Sequence, residues 1–318
     1  LVSIIIPLKA FNHYIREAIP YYERLDYSPF EIIILPDEKE TEVLSQKLDI
    51  RVIPSGPVGP AEKRDMGAKF ARGTILAFTD DDAYPDEKWL SQAVGILLSS
   101  DDIGAVGGPG ITPPSDGFFQ RLSGNIYSSV WMSGSYRKRY TPVGTIHEDY
   151  DLPSVNLIVK KEVFESVGGF DSTYYPGEDT KLCLAIKKKN YRILYSPQVI
   201  VWHHRRPLFP HHFRQIANYA LHRGFFARRY GATSLKMAYL LPSLFLLGII
   251  LGWIPAILFS FLWWIYGGTL FIYFVGAFLL GTGKTLFERL ATTLGIFASH
   301  LTYGWFFIQG FLTKELKR

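Results

Sequence analysis

An α/β domain built on a doubly wound sheet, followed by helices that cross a membrane, is the fold class this sequence predicts. Three observations predict it. Short apolar runs alternate with helical stretches through roughly the first 200 residues. Acidic side chains gather where two of those runs end, at Asp37 and at Asp80-Asp81-Asp82. Residues 237–283 then hold no charged side chain at all.

The elements follow in order. Residues 2–7 (VSIIIP) are an apolar strand closed by Pro7, and residues 14–24 an amphipathic helix. FEIIIL at 30–35 is a second strand ending at Pro36-Asp37, with a third at 50–54. A helix over 62–72 carries Lys63-Arg64 and leads into TILAFT at 74–79, which ends in the Asp80–Asp82 triplet. Residues 89–99 read as helix and 104–108 as strand. A strand over 155–160, bearing Asn156, passes into a helix over 161–167 that Gly168-Gly169 terminates. Gly177-Glu178-Asp179 opens a further helix, and a strand over 193–202 reaches His203-His204. Near-continuous apolar strands separated by helices predict a parallel sheet covered on both faces. Ligands of such sheets bind beyond the carboxyl ends of the strands, where the acids lie.

Charge divides the chain into three zones. Residues 1–179 carry 17 basic and 27 acidic side chains, residues 180–236 carry 12 basic and none acidic, and residues 237–318 carry 5 and 2. The 47 uncharged residues of 237–283 are long enough for two spans, since one needs roughly 20. Their expected turn is Gly252-Trp253-Ile254-Pro255, and a third apolar stretch over 291–312 brings the expected spans to about three. Tryptophans and tyrosines at 253, 263, 264, 266 and 303 suit the interfacial belts. The basic zone directly before the first span places the N-terminal domain on the cytoplasmic face of a cell membrane, and its position there favours lipid headgroups over nucleic acid. No leader is expected ahead of the opening strand. With three spans, Lys314, Lys317 and Arg318 would lie opposite Lys284 and Arg289, which the charge bias disfavours. One cysteine, Cys183, excludes a disulfide framework or a multi-cysteine metal site.

The acids carry the chemistry. Three carboxylates at one strand end repel one another unless a cation sits between them, and hard divalent ions prefer oxygen ligands and bridge to phosphates. A solvated loop capping the next helix is the lesser alternative for the triplet alone. Glu178-Asp179 at a helix start, taken alone, is better explained by capping and the helix dipole. Residues 211–229 have apolar positions at helical spacing with basic residues between, which predicts an amphipathic helix at a membrane surface.

Together these motifs resemble the family 2 glycosyltransferases of the GT-A, Rossmann-like fold. The resemblance rests on the strand before Pro7, residues 31–37, Lys63-Arg64, Asp80–Asp82, Gly168-Gly169-Phe170-Asp171, Gly177-Glu178-Asp179, and Tyr195 to Val201-Trp202-His203, in family order across residues 1–205. It implies a UDP-, GDP- or dTDP-sugar donor. Pro7, Asp37, Lys63, Arg64, Asp80, Asp81 and Asp82 would lie on the donor side, with Asp80, Asp82 and His203 around Mn²⁺ or Mg²⁺. Asp179 would act as base with Glu178 beside it. Asn156, Arg205, Arg206, Gln215 and Arg223 are expected to contact acceptor or phosphate. The aromatic and basic segment 116–152 would supply acceptor-side loops. Gln215 and Arg223 have the wrong spacing for the Gln-x-x-Arg-Trp motif of processive polysaccharide synthases, and Gly224 stands where its Trp would be.

The expected organisation is a catalytic domain over 1–205, a basic interface segment over 206–236 and a transmembrane region over 237–318. The activity the resemblance implies is inverting transfer to a lipid-linked or membrane-proximal glycan. Transfer to a polyprenyl phosphate is the alternative acceptor chemistry, and a non-catalytic sugar-nucleotide scaffold the alternative of another class.

Overall fold

The computed structural model describes residues 1–171 and 174–316. The N-terminal half runs β1 (Val2–Pro7), α1 (His13–Tyr22), β2 (Phe30–Leu35), β3 (Ile50–Val52), α2 (Pro60–Phe70), β4 (Ile75–Phe78), β5 (Ala83–Pro85), α3 (Trp89–Leu97), β6 (Ile103–Gly107) and β7 (Gly110–Ile111). Two helices follow, α4 (Phe118–Ser128) and α5 (Val130–Ser133). Then come β8 (His147–Glu148), β9 (Leu157–Lys160), α6 (Lys161–Ser166), α7 (Glu178–Lys188), β10 (Arg192–Tyr195) and β11 (Val201–His203). The remainder is helical: α8 (Pro210–Arg229), α9 (Gly231–Ser234), α10 (Met237–Leu251), α11 (Ile254–Leu258), α12 (Leu262–Leu280) and α13 (Leu286–Leu312).

The chain forms two compact units. The first holds residues 1–113 and 138–204 and is built on an eight-stranded sheet of order β3-β2-β1-β4-β9-β6-β10-β8. Apolar side chains alternate between its faces. Ile4, Ile6, Ile32 and Ile34 join Ile15, Ile19, Trp89 and Leu90 on one side. Ile5, Ile33, Leu35 and Phe78 join Ala68, Phe164 and Ile186 on the other. Burial on both faces is why these strands read as unbroken apolar runs.

Two expectations are corrected here. The sheet is mixed: β9 runs antiparallel to β4 and β6, and β8 antiparallel to β10. A doubly buried strand shows no pattern that encodes direction. The single strand expected over 193–202 is two strands in different sheets, because β11 joins β5 and β7 in a separate three-stranded sheet.

The second unit contains residues 114–137 together with 205–316. Within it α8 lies along α13 at very close approach. A Cβ on Gly310 would sit 1.9 Å from the Leu221 carbonyl oxygen, and one on Gly224 2.0 Å from that of Phe307. His212, fully buried on α8, bridges Ser123 of α4 (2.6 Å) and Ser299 of α13 (3.0 Å). Among the described residues two helices are long and apolar enough to cross a membrane, Met237–Leu258 and Leu262–Leu280. Only 17% and 11% of their most apolar stretches are buried, unlike the core helices of a soluble protein. The chain between them turns over residues 259–261, beyond the expected Gly252–Pro255 break, which only interrupts the first helix. The third expected span, over 291–312, falls within α13. α13 is long, but Thr292, Thr293, Ser299 and His300 are buried along it, so its sequence is too polar to meet the same standard. Lys317 and Arg318, which entered the expected charge conflict, lie outside the described residues.

Candidate active site

The site begins where β4 ends. Asp80, Asp81 and Asp82 follow that strand, and the chain turns at once into β5. β11 pairs antiparallel with β5, with His203 opposite Ala83. This pairing brings together residues 121 positions apart: His203 Nε2 lies 3.3 Å from Asp82 Oδ1. One ligand atom each from Asp80, Asp82 and His203 falls within a 4.8 Å group, all three side chains half-buried. Two carboxylate oxygens and an imidazole nitrogen fit Mn²⁺, which accepts both donor types, while Mg²⁺ prefers oxygen throughout.

The triplet is divided. Asp81 turns away and accepts a hydrogen bond from Asn12 Nδ2. Desolvation, reinforced by Asp82, pushes the Asp81 carboxyl up to about 6. Asn12 was missed in the sequence, although it precedes a helix as a capping residue should, and its Oδ1 accepts from the Ile15 amide at 3.0 Å. His204 is buried and faces Glu17, with Nε2 3.4 Å from the Glu17 carboxylate, while its amide donates to the Asp82 carbonyl at 3.0 Å. Of the two histidines, only His203 faces the acids.

α2 supplies the cations and does so from close range. Gly67 permits this, since a Cβ there would lie 2.6 Å from Ile5 on β1. Pro7 ends β1, buried and paired with Leu35. Lys63 is buried; its ammonium donates to the carbonyls of Leu8 (2.5 Å) and Leu35 (3.3 Å) and to the Asp37 carboxylate. It therefore clamps the ends of β1 and β2 and holds Asp37 in place. Arg64 is also buried and spans two acids, with Nη2 2.5 Å from Asp80 and Nη1 3.3 Å from Glu178. Its guanidinium lies over the Phe170 ring.

Glu178 and Asp179 open α7 and differ in surroundings. Glu178 is buried on Arg64. Desolvation first, then the Asp179 charge, raises its carboxyl to about 7, against the pull of Arg64. Asp179 is half-buried, and its Oδ1 accepts from the Thr180 amide at 2.7 Å. The more accessible acid of the pair is thus Asp179. Behind it Thr180 Oγ1 donates to Asp151 (2.9 Å), which is paired with Arg139 at 3.1 Å. Sequence reasoning assigned no role to Asp151 or Arg139, because their link to α7 depends on tertiary folding.

One expected contact residue is corrected. Asn156 is fully buried, accepting from Trp89 Nε1 (2.9 Å) and donating to the carbonyls of Pro109 and Val199 (3.2 and 2.8 Å). A core amide with these partners has no surface to offer an acceptor. Arg205, Arg206, Gln215 and Arg223 all belong to the second unit. There the Arg205 guanidinium lies over Tyr127, Gln215 accepts from the Tyr127 hydroxyl, and Arg223 contacts Ser234 and the Tyr239 ring. Arg206 is exposed.

Comparison with known proteins bears on the family and the fold. The pre-mycofactocin glycosyltransferase of Mycobacterium tuberculosis is 28% identical over 148 residues, 46% of this chain and 30% of that protein. The glucosyl-dolichyl phosphate glucuronosyltransferase of Haloferax volcanii is 24% identical over 192 residues, 56% of this chain and 60% of that one. This chain thus spans less than two thirds of the length of either. Among solved structures, the mannosyltransferase PcManGT of Pyrobaculum calidifontis, bound to GDP-Man and Mn²⁺, superposes with a TM-score of 0.56 at 19% identity, covering 99% of this chain and 88% of that one. The family model for glycosyl transferase family 2 matches residues 3–168, just over half the chain. The chain belongs to glycosyl transferase family 2.

Proposed function

We propose that this protein is a membrane-anchored, inverting glycosyltransferase that moves a sugar from a nucleotide-sugar donor to a lipid-linked or membrane-proximal glycan. The observation that carries this reading is the Arg64 guanidinium, which joins Asp80 of the candidate metal group to Glu178 of α7 in one chain of ion pairs. It ties a diphosphate-side carboxylate to the helix whose first turn holds the candidate base, Asp179. The crystallised complex of PcManGT with GDP-Man and Mn²⁺ supports the donor class.

In the transfer, Asp179 takes the proton of the acceptor hydroxyl as that oxygen bonds to the sugar's C1. The bond from C1 to the donor's diphosphate oxygen breaks on the opposite face, and the electron pair leaves with the diphosphate. A divalent ion held by Asp80, Asp82 and His203 would supply neutralising charge to that leaving group. Asp37, fixed by Lys63, stands where β2 ends and suits contact with the nucleoside. Two helices apolar enough to span a bilayer would supply the anchor, and the basic zone preceding them supports a cytoplasmic catalytic unit. With two spans Lys284, Arg289 and Lys314 share that face, so the charge conflict raised by three spans disappears.

Chelation supplies the first test. Full-length protein in detergent, incubated with nucleotide sugars, is expected to lose donor turnover in EDTA and regain it on addition of Mn²⁺. Turnover indifferent to EDTA would remove the metal from this reading. Offering polyprenyl phosphate and a lipid-linked glycan in parallel assigns the acceptor, and transfer to the lipid phosphate alone would overturn the glycan assignment.

A further inference from the structure

Three cations converge on a recess in the helical unit. Arg228 and Arg229 from the last turn of α8, and Lys314 just beyond α13, line a cavity of about 230 Å³ together with Phe225 and Thr313. The Thr313 hydroxyl is engaged by the Gln309 carbonyl at 2.7 Å, and the Arg229 guanidinium lies near the Tyr230 ring. The side chains of Arg228 and Lys314 are exposed and make no ion pair or hydrogen bond among the described residues. Glu315 is the one carboxylate next to them in sequence, and it is exposed. Helix C-termini favour cations, which accounts for one at each helix end. It does not account for three lining one recess, where an anion would be attracted by all of them while water screens their mutual repulsion.

The position of the recess identifies the anion. From Arg229 the chain passes through α9 to Lys236, and α10 begins at the next residue. Tyr239, in the first turn of α10, packs with Ala220, Ala227 and Phe307, so the apolar helix starts beside the last turns of α8 and α13. From there Met237, Leu241 and Leu244 recur at helical spacing and are 64%, 54% and 55% exposed. A cationic recess thus stands at the polar end of an apolar stripe. Guanidinium groups grip phosphate oxygens bidentately, and an acyl chain can follow the stripe.

We propose that the recess lined by Arg228, Arg229 and Lys314 binds the phosphate headgroup of an anionic membrane lipid, a phosphomonoester lipid fitting it best. This rests on the reading that α10 and α12 cross a bilayer.

The test uses the full chain in uncharged detergent, titrated with dihexanoyl phosphatidic acid, dihexanoyl phosphatidylcholine or inorganic phosphate and followed by calorimetry. Phosphatidic acid is expected to bind at least about tenfold more tightly than either other probe. Arg228→Gln, Arg229→Gln and Lys314→Gln together are expected to weaken it on the order of fivefold per cation removed. Lys88→Gln, Lys188→Gln and Lys189→Gln, an equal charge loss at exposed positions of the other unit, are expected to leave it unchanged. Equal binding of phosphatidic acid by the wild type and the recess variant overturns the proposal. Equal affinity for inorganic phosphate reassigns the recess to a soluble anion and overturns the lipid assignment. Cell fractionation without detergent separates the two readings. A soluble chain sinks the membrane reading itself, whereas a sedimenting chain with an indifferent recess sinks only the lipid site.

Discussion

Replacing Arg64 by Met would leave Asp80 and Glu178 facing each other without the cation that joins them. Breaking a buried pair from one side costs about 3–5 kcal/mol, so Arg64→Met is expected to lower Tm sharply and donor turnover with it. Arg64→Lys supplies one point charge where a fork spans two acids, and it is expected to recover stability better than activity. Thermal melts alongside donor hydrolysis check both, and unchanged melts for Arg64→Met would show the bridge to be dispensable. Asp65 offers a pH-dependent test at the same scale. Its Oδ1 accepts from the Phe170 amide at 2.9 Å, and desolvation raises its carboxyl to about 6. A raised carboxyl favours the folded state at pH below its ordinary value, and that contribution is lost as pH rises through about 6. Asp65→Asn keeps an acceptor oxygen without the charge. Its Tm advantage over wild type is expected to be largest near pH 8 and to shrink towards pH 4; a constant difference across that range would contradict the cause assigned.

At the scale of elements, the seam between α8 and α13 depends on glycine where the two backbones nearly touch. Gly310→Val is expected to separate the helices and destabilise by several kcal/mol, while Gly248→Ala, where a Cβ meets nothing within 4 Å, is expected to be neutral or mildly stabilising. Melting temperatures in detergent decide it, and a Gly310→Val protein as stable as wild type would contradict the packing described. The same scale shows what the sequence could reveal. FEIIIL read as a strand over residues 30–35 and is one, because a strand buried on both faces leaves an unbroken apolar run. The direction of β9 was hidden, since LIVK presents the same pattern to parallel and antiparallel neighbours. All three members of the metal group were legible, the two acids from their place at one strand end and His203 from the family resemblance. Asp80 and Asp82 stand beside each other in sequence, but His203 reaches them only through the pairing of β11 with β5. Asn156 looked like a polar residue near the site and is a core amide, because its three partners come from distant segments. α13 covers the third apolar stretch of the sequence, and Thr292, Thr293, Ser299 and His300 are buried along it, a burial that the linear pattern does not reveal.

For the whole molecule, the uneven charge gains a structural meaning. The acidic part carries the candidate site carboxylates beyond its strand ends, and the uncharged part presents exposed side chains such as Trp264 (85%) and Phe271 (70%), which lipid would cover. Full-length protein is therefore expected to remain in the membrane pellet after alkaline carbonate washing and to require detergent for release. Recovery in the wash would contradict the anchor. The central claim is that Asp80, Asp82 and His203 form the donor-side metal centre and Asp179 the base of one glycosyltransferase site. The most direct measurement is sugar transfer by detergent-purified wild type, Asp82→Ala and Asp179→Asn with Mn²⁺ and a nucleotide-sugar donor, each variant first shown to melt as wild type does. The account predicts a loss on the order of 10²–10⁴-fold for each variant. Wild-type turnover in both would contradict it.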